Sequence, residues 1–176
     1  RQRLGAGLVN APGSNGGSAI TGYTVTSNPG AKTCTTTGGL SCSVGGLSNG
    51  TSYTFTVRAK NGVGTGPASS ASAAVVPRTT PSAPTGVAAQ PGNTSALVSW
   101  AAPASNGGSA ITGYTVTSNP DNKTCTTTGA LSCTVGGLSN GTSYTFTVRA
   151  TNGVGTGLAS GASAAVTPKA VPSPPL

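Results

Sequence analysis

The chain has 176 residues with nine Lys and Arg, one acidic residue and no His, so it carries a net charge of +8 although only 6% of its residues are charged. That inventory excludes most chemistry: with His and Glu absent and Asp121 the sole carboxylate side chain, no Ser-His-Asp arrangement, glycosidase carboxylate pair or calcium cage can be assembled. Solubility rests instead on hydroxyls and backbone, while Thr, Val, Tyr and Phe favour strands and the 28 Gly and 13 Pro supply turns.

Residues 1–10 (RQRLGAGLVN) lack the apolar core and cleavage site of a secretory signal, and no apolar run along the chain is long enough to span a bilayer. No membrane insertion is expected. The basic residues Arg1, Arg3, Lys32, Arg58, Lys60, Arg78, Lys123, Arg149 and Lys169 are scattered and carry no interleaved aromatics, the opposite of a nucleic-acid footprint.

From residue 14 onward the chain repeats itself. Tyr23, Cys34, Cys42 and Tyr53 recur 91 positions later as Tyr114, Cys125, Cys133 and Tyr144. Residues 14–77 and 105–168, 64 positions each, differ at eight: Gly30/Asp121, Ala31/Asn122, Gly39/Ala130, Ser43/Thr134, Lys60/Thr151, Pro67/Leu158, Ser70/Gly161 and Val76/Thr167. A period of 91 is a whole small domain rather than a solenoid repeat. At that offset Trp100 falls on Val9, and the segment PSAPTGVAAQPG falls before residue 1. The expected organisation is therefore a module over 1–77 lacking its first strand, a linker at 78–83, a complete module over 84–168, and a Pro-rich linker at 169–176 that opens a further repeat. A fragment of a longer array is expected.

In the complete module, Val87 to Gln90 is a short first strand. Ala96, Val98 and Trp100 alternate with Leu97 and Ser99, a period-2 strand with Trp100 facing in. A turn at Ser105–Gly108 leads to ITGYTVTS, with Tyr114 and Val116 on one face. Asn119–Asn122 is a turn, and KTCTTTG and LSCTVGGL flank a Gly-centred one. SYTFTVRA puts Tyr144, Phe146, Val148 and Ala150 inward; Asn152-Gly153 turns the chain into a last strand, SAAVTP. The expected core is Trp100, Tyr114, Val116, Leu138, Tyr144, Phe146, Val148 and Val166. Seven short strands with regularly spaced turns predict an all-β fold, tandem seven-stranded antiparallel Greek-key sandwiches.

Four cysteines allow three pairings. Cys34 with Cys42 and Cys125 with Cys133 is the expected pairing, since each pair has seven intervening residues and flanks a Gly turn. Two thiols with no His cannot fill a zinc shell, so no metal and no cofactor is expected. Structural disulfides place the chain in an oxidising, extracellular compartment.

The strand order, Trp100, and LSNGTSYTFTVRATNGVGTG resemble a fibronectin type III domain, an immunoglobulin-like sandwich, of bacterial secreted or surface proteins. The resemblance covers 84–168 fully and about 6–77 in part. The family's tyrosine-corner motif matches Leu138, Gly141, Thr142 and Tyr144, and equally Leu47, Gly50, Thr51 and Tyr53. No RGD tripeptide occurs, so the integrin-binding role of some animal relatives does not carry over. The sequons at Asn49, Asn93, Asn122 and Asn140 matter only in a host that glycosylates.

The function expected is a non-catalytic extracellular spacer or adhesion module of a larger secreted or surface protein, meeting a protein or polysaccharide surface. The alternatives are an accessory module of a secreted polysaccharide hydrolase, and a filament subunit that self-associates through the open edge of the first module.

Overall fold

Alternation of Thr with Val, Tyr and Phe builds strands with one apolar and one hydroxyl face, and such a sheet must cover its apolar face. The computed structural model describes residues 10–172 and divides the chain into two units, Arg1–Pro77 and Arg78–Leu176. Among the described residues there are ten strands and no helix. Val9, the expected counterpart of Trp100, lies outside them, as do the last four residues of the Pro-rich end.

The first unit contains β1 (Ile20–Asn28), β2 (Thr33–Thr36), β3 (Thr54–Asn61) and β4 (Thr65–Ala68). They form a single antiparallel sheet in the order β2-β1-β3-β4. Val25 sits opposite Val57 and Tyr23 opposite Ala59, so the apolar residues share one face.

The second unit contains β5 (Thr85–Gly92), β6 (Ser95–Ala101), β7 (Ile111–Asn119), β8 (Thr124–Thr127), β9 (Ser132–Gly136) and β10 (Thr145–Asn152). Here the sheet β10-β7-β8 keeps the first unit's register, with Val116 opposite Val148 and Tyr114 opposite Ala150. A second sheet, β5-β6-β9, lies over it. The space between is filled by Val98, Trp100, Tyr114, Val116, Val135, Leu138, Tyr144, Phe146 and Val148, all buried. The rings of Trp100 and Tyr114 meet at 5.4 Å with a 56° tilt, the inclined geometry aromatic quadrupoles favour.

β8 and β9 are successive in the chain but belong to different sheets. The Gly-centred turn between them is thus a crossing from one sheet to the other. β9 exists because β6 pairs with it, Ala96 opposite Val135 and Val98 opposite Cys133. The equivalent residues 41–45 of the first unit differ only in Ser43 for Thr134, yet form no strand there.

The segment expected as the last strand is held differently from a regular ladder. Gly157, Ser160, Ser163 and Val166, three residues apart, donate their N–H groups to the carbonyls of Ala150, Val148, Phe146 and Tyr144, two residues apart, at 2.8–2.9 Å. Only Val166 forms a full bridge, to Tyr144. At the intermediate rungs serine side chains replace the missing carbonyls: the Val148 N–H donates to Ser160 Oγ at 2.9 Å and the Phe146 N–H to Ser163 Oγ at 3.1 Å. The three-against-two spacing hides this strand from a period-2 reading.

Residues 78–83, read from composition as linker, are built into the second unit. The Thr79 N–H donates to Gly107 O at 2.8 Å and the Ser82 N–H to Ser105 O at 2.9 Å. The buried Asn152 amide donates to both Thr79 O and Asn106 O at 2.8 Å, while its oxygen accepts from the N–H groups of Val154 and Gly155. Gly107, at φ +70°, leaves no room for a Cβ against the Thr79 carbonyl.

Ser163→Ala removes the only acceptor of a buried N–H. It is expected to lower the stability of the second unit by about 1–3 kcal/mol, read by urea denaturation followed through Trp100, the chain's single Trp and a reporter of this unit alone.

Candidate functional site

Three features were candidates for function: the cysteine pairs, the tyrosine corners and the sole carboxylate. Both pairs are bonded, Cys34 to Cys42 and Cys125 to Cys133, each with Cα atoms 6.2 Å apart. In the second unit Cys125 stands on β8 and Cys133 on β9, so the bond joins the two sheets beside the core. In the first unit Cys34 stands on β2 and Cys42 in the irregular segment that corresponds to β9.

At each corner a buried tyrosine reaches back over the preceding loop, whose glycines Gly50 and Gly141 turn at φ +81° and +84°. The Ser48 N–H donates to Tyr53 Oη and the Ser139 N–H to Tyr144 Oη, both at 3.0 Å. With that lone pair filled, the hydroxyl proton is free to go elsewhere. In the second unit Tyr144 Oη donates to Asp121 Oδ2 at 2.7 Å. The chain's one carboxylate is therefore a structural acceptor, and the distance is that of a charge-assisted bond. The turn it occupies is left-handed at two positions, φ 71° at Asp121 and 50° at Asn122, where the first unit has Gly30 and Ala31. Asp and Asn tolerate that region better than most side chains. In sequence the signal was the exchange of Gly30 for Asp121 within nearly identical repeats, but only the fold brings residue 121 to the corner.

No group of three or more His, Cys, Asp or Glu that could hold a metal occurs among the described residues. No helix among them is long and apolar enough to cross a membrane. Two of the scattered arginines serve their own turns: Arg58 Nη1 donates to Gly66 O at 3.2 Å and Arg149 Nη1 to Gly157 O at 3.0 Å.

The aromatic side chains decide what the surface can bind. Trp100 and all four tyrosines are at most 6% exposed, and Phe146 is fully buried. Phe55 is half-buried in a groove of about 1200 Å³ over the apolar face of the first unit's sheet, lined among others by Tyr23, Val25, Val44, Val57 and Ala59. Elsewhere the strand faces present mainly hydroxyls; Leu97 is exposed on β6, and Val63, Val154 and Leu158 are exposed near the turns that follow β3 and β10.

A fibronectin type III domain model matches residues 10–75 and 82–166. The chain is 39% identical over 146 residues to Chitinase A1 of Niallia circulans, covering 77% of this chain and 20% of that protein. It is 36% identical over 162 residues to Exoglucanase B of Cellulomonas fimi, covering 88% of this chain and 14% of that protein. The chain thus spans a fifth or less of the length of these relatives. Among solved structures, a crystal structure of domains from titin aligns with a TM-score of 0.52 at 24% identity, over 82% of this chain and 54% of that one, a likeness of fold alone.

Two outcomes test the corner and the staple. Tyr144→Phe breaks two hydrogen bonds and is expected to cost about 2–3 kcal/mol, against about 1 kcal/mol for Tyr53→Phe, which breaks one; thermal unfolding of each variant measures the difference. Replacing Cys125 and Cys133 together by Ser reopens a loop of about nine residues and is expected to cost roughly 2–3 kcal/mol, seen as a lower urea midpoint in Trp100 fluorescence.

Proposed function

The chain belongs to the fibronectin type III family, and we propose that its two units are non-catalytic extracellular spacer modules of a larger polysaccharide-degrading enzyme. The observation that carries this reading is the burial of Trp100 and of every tyrosine. Polysaccharide-binding surfaces stack sugar rings on exposed planar aromatics, and the hydroxyl-rich faces here offer none. The single carboxylate is engaged by Tyr144, so no acid–base pair can form. What remains is a part that folds around its own core and holds other domains at a distance. The relatives support the setting, being named a chitinase and glucanases, and the disulfides fit an oxidising compartment. A surface with one acid and few cations, covered by Thr, Ser and Asn, suits a spacer, because it offers neighbours little to adhere to.

The test has two arms. The chain alone is expected to pass through chitin and cellulose columns unretained. Placed between a glucanase catalytic domain and a cellulose-binding domain, it is expected to raise activity on insoluble cellulose over that of a direct fusion and leave activity on a soluble oligosaccharide unchanged. Retention on either polymer, or no gain on insoluble substrate, overturns the proposal.

A further inference from the structure

Residues 79–84 lie as a strap in a groove of the second unit. The Thr79 N–H donates to Gly107 O at 2.8 Å, and the Thr79 carbonyl accepts from the Asn152 amide at 2.8 Å. Three residues on, the Ser82 N–H donates to Ser105 O at 2.9 Å, and Ser82 Oγ accepts from the Ser105 N–H at 3.1 Å. Pro81 and Pro84 are buried. Glycines make room for the strap: a Cβ on Gly107 would strike the Thr79 carbonyl, and one on Gly157 the Pro81 carbonyl. The strap is thus gripped by its main chain at 79, its main chain and hydroxyl at 82, and its rings at 81 and 84. The hydroxyls of Thr79 and Thr80 and the N–H of Ala83 take no part in these bonds.

The gripped groups occur a second time. At the 91-residue offset, Ala170-Val171-Pro172-Ser173-Pro174-Pro175 keeps both prolines and the serine in place. It exchanges only what the groove does not hold: Thr79 for Ala170, Thr80 for Val171 and Ala83 for Pro174. Pro174 also biases Ser173 toward extended backbone. Ala170, Val171 and Pro172 are exposed, Val171 at 89%, so the unit they follow does not engage them.

We infer that residues 170–175 are a docking strap, and that its partner is another module of this kind presenting the groove of Ser105, Gly107, Asn152 and Gly157. The groove defines the partner's chemistry: two carbonyls that accept the strap's N–H groups, a side-chain amide that donates to the carbonyl of residue 170, and glycines where the strap's backbone passes. Asn152 is the hardest part to replace. Its oxygen is fixed by the N–H groups of Val154 and Gly155, which aims its amide hydrogens at the strap. The strap is short and carries no aromatic side chain, so it docks when tethered to the module that receives it, where effective concentration takes the place of affinity. This inference does not depend on the spacer reading.

The test extends the full chain by repeating residues 85–168 directly after Pro175. Residues 170–175 then stand before the added module as 79–84 stand before the second unit. Amide hydrogen exchange is followed by NMR at Thr79, Ser82, Ala170 and Ser173. Thr79 and Ser82 are expected to exchange slowly in both proteins, and Ala170 and Ser173 to exchange roughly tenfold or more slower in the extended protein than in the original chain. Asn152→Ala, placed in the added module alone, is expected to return Ala170 to its rate in the original chain. Ser173→Pro removes the strap's N–H and hydroxyl without touching the added module's core, and is expected to have the same effect on Ala170. Unchanged exchange at Ala170 and Ser173 on extension, protection of Ala170 that survives Ser173→Pro, or fast exchange at Thr79 and Ser82 would each overturn the inference.

Discussion

The pairing of β6 with β9 is the constraint on which the second unit depends. β10-β7-β8 is a sheet with one apolar face, and a sheet of that kind is stable in water only when that face is covered. β6 covers it with Val98 and Trp100, and in doing so gives β9 a partner, which turns a stretch of chain into a strand. Two nearly identical sequences thus adopt different local structure. Residues 132–136 are a strand and 41–45 are not, although they differ only at Thr134 against Ser43, where the β-branched Thr favours a strand by no more than a fraction of a kcal/mol. Here the partner, rather than intrinsic preference, decides.

The disulfides belong to the same logic. Cys125 and Cys133 join strands of opposite sheets, so the covalent bond and β6 act on the same interface from two sides. A core of about ten side chains in a domain of this size gives limited stability by burial alone, and the bond offsets chain entropy that the core cannot. In the first unit the equivalent bond ties β2 to residues 41–45, the counterpart of β9. It therefore keeps residues 41–45 beside the groove even where no strand holds them.

How far these features were legible in the sequence depended on whether their signal was local. The alternation in SALVSWA and SYTFTVRA is a property of each strand by itself, and it marks Val98, Trp100, Phe146 and Val148 for one face without knowledge of any partner. Cysteines with seven residues between them across a turn are likewise a short-range signal. The crossing between β8 and β9 was invisible, because a turn within one sheet and a turn between two sheets use the same glycines. The serine-supported edge at 157–166 was misread for a related reason: its period is three residues against two, and a hydroxyl standing in for a carbonyl leaves no mark in a hydrophobic pattern. Thr79 and Ser82 looked like linker by composition; what docks Thr79 is the amide of Asn152, 73 residues away in the chain, while Ser82 is held by the backbone of Ser105.

A protein with one acid cannot organise itself by ion pairs, and this one does so by side-chain oxygens placed on backbone donors. Ser160, Ser163, Asn152 and the Tyr144–Asp121 pair each satisfy groups that burial would otherwise leave unpaired, where an orphaned donor costs about 1–3 kcal/mol. These bonds are short, and those made by the neutral serine and asparagine side chains are insensitive to salt, unlike surface charge pairs. The one carboxylate accepts from Tyr144, and Trp100 and the tyrosines are buried.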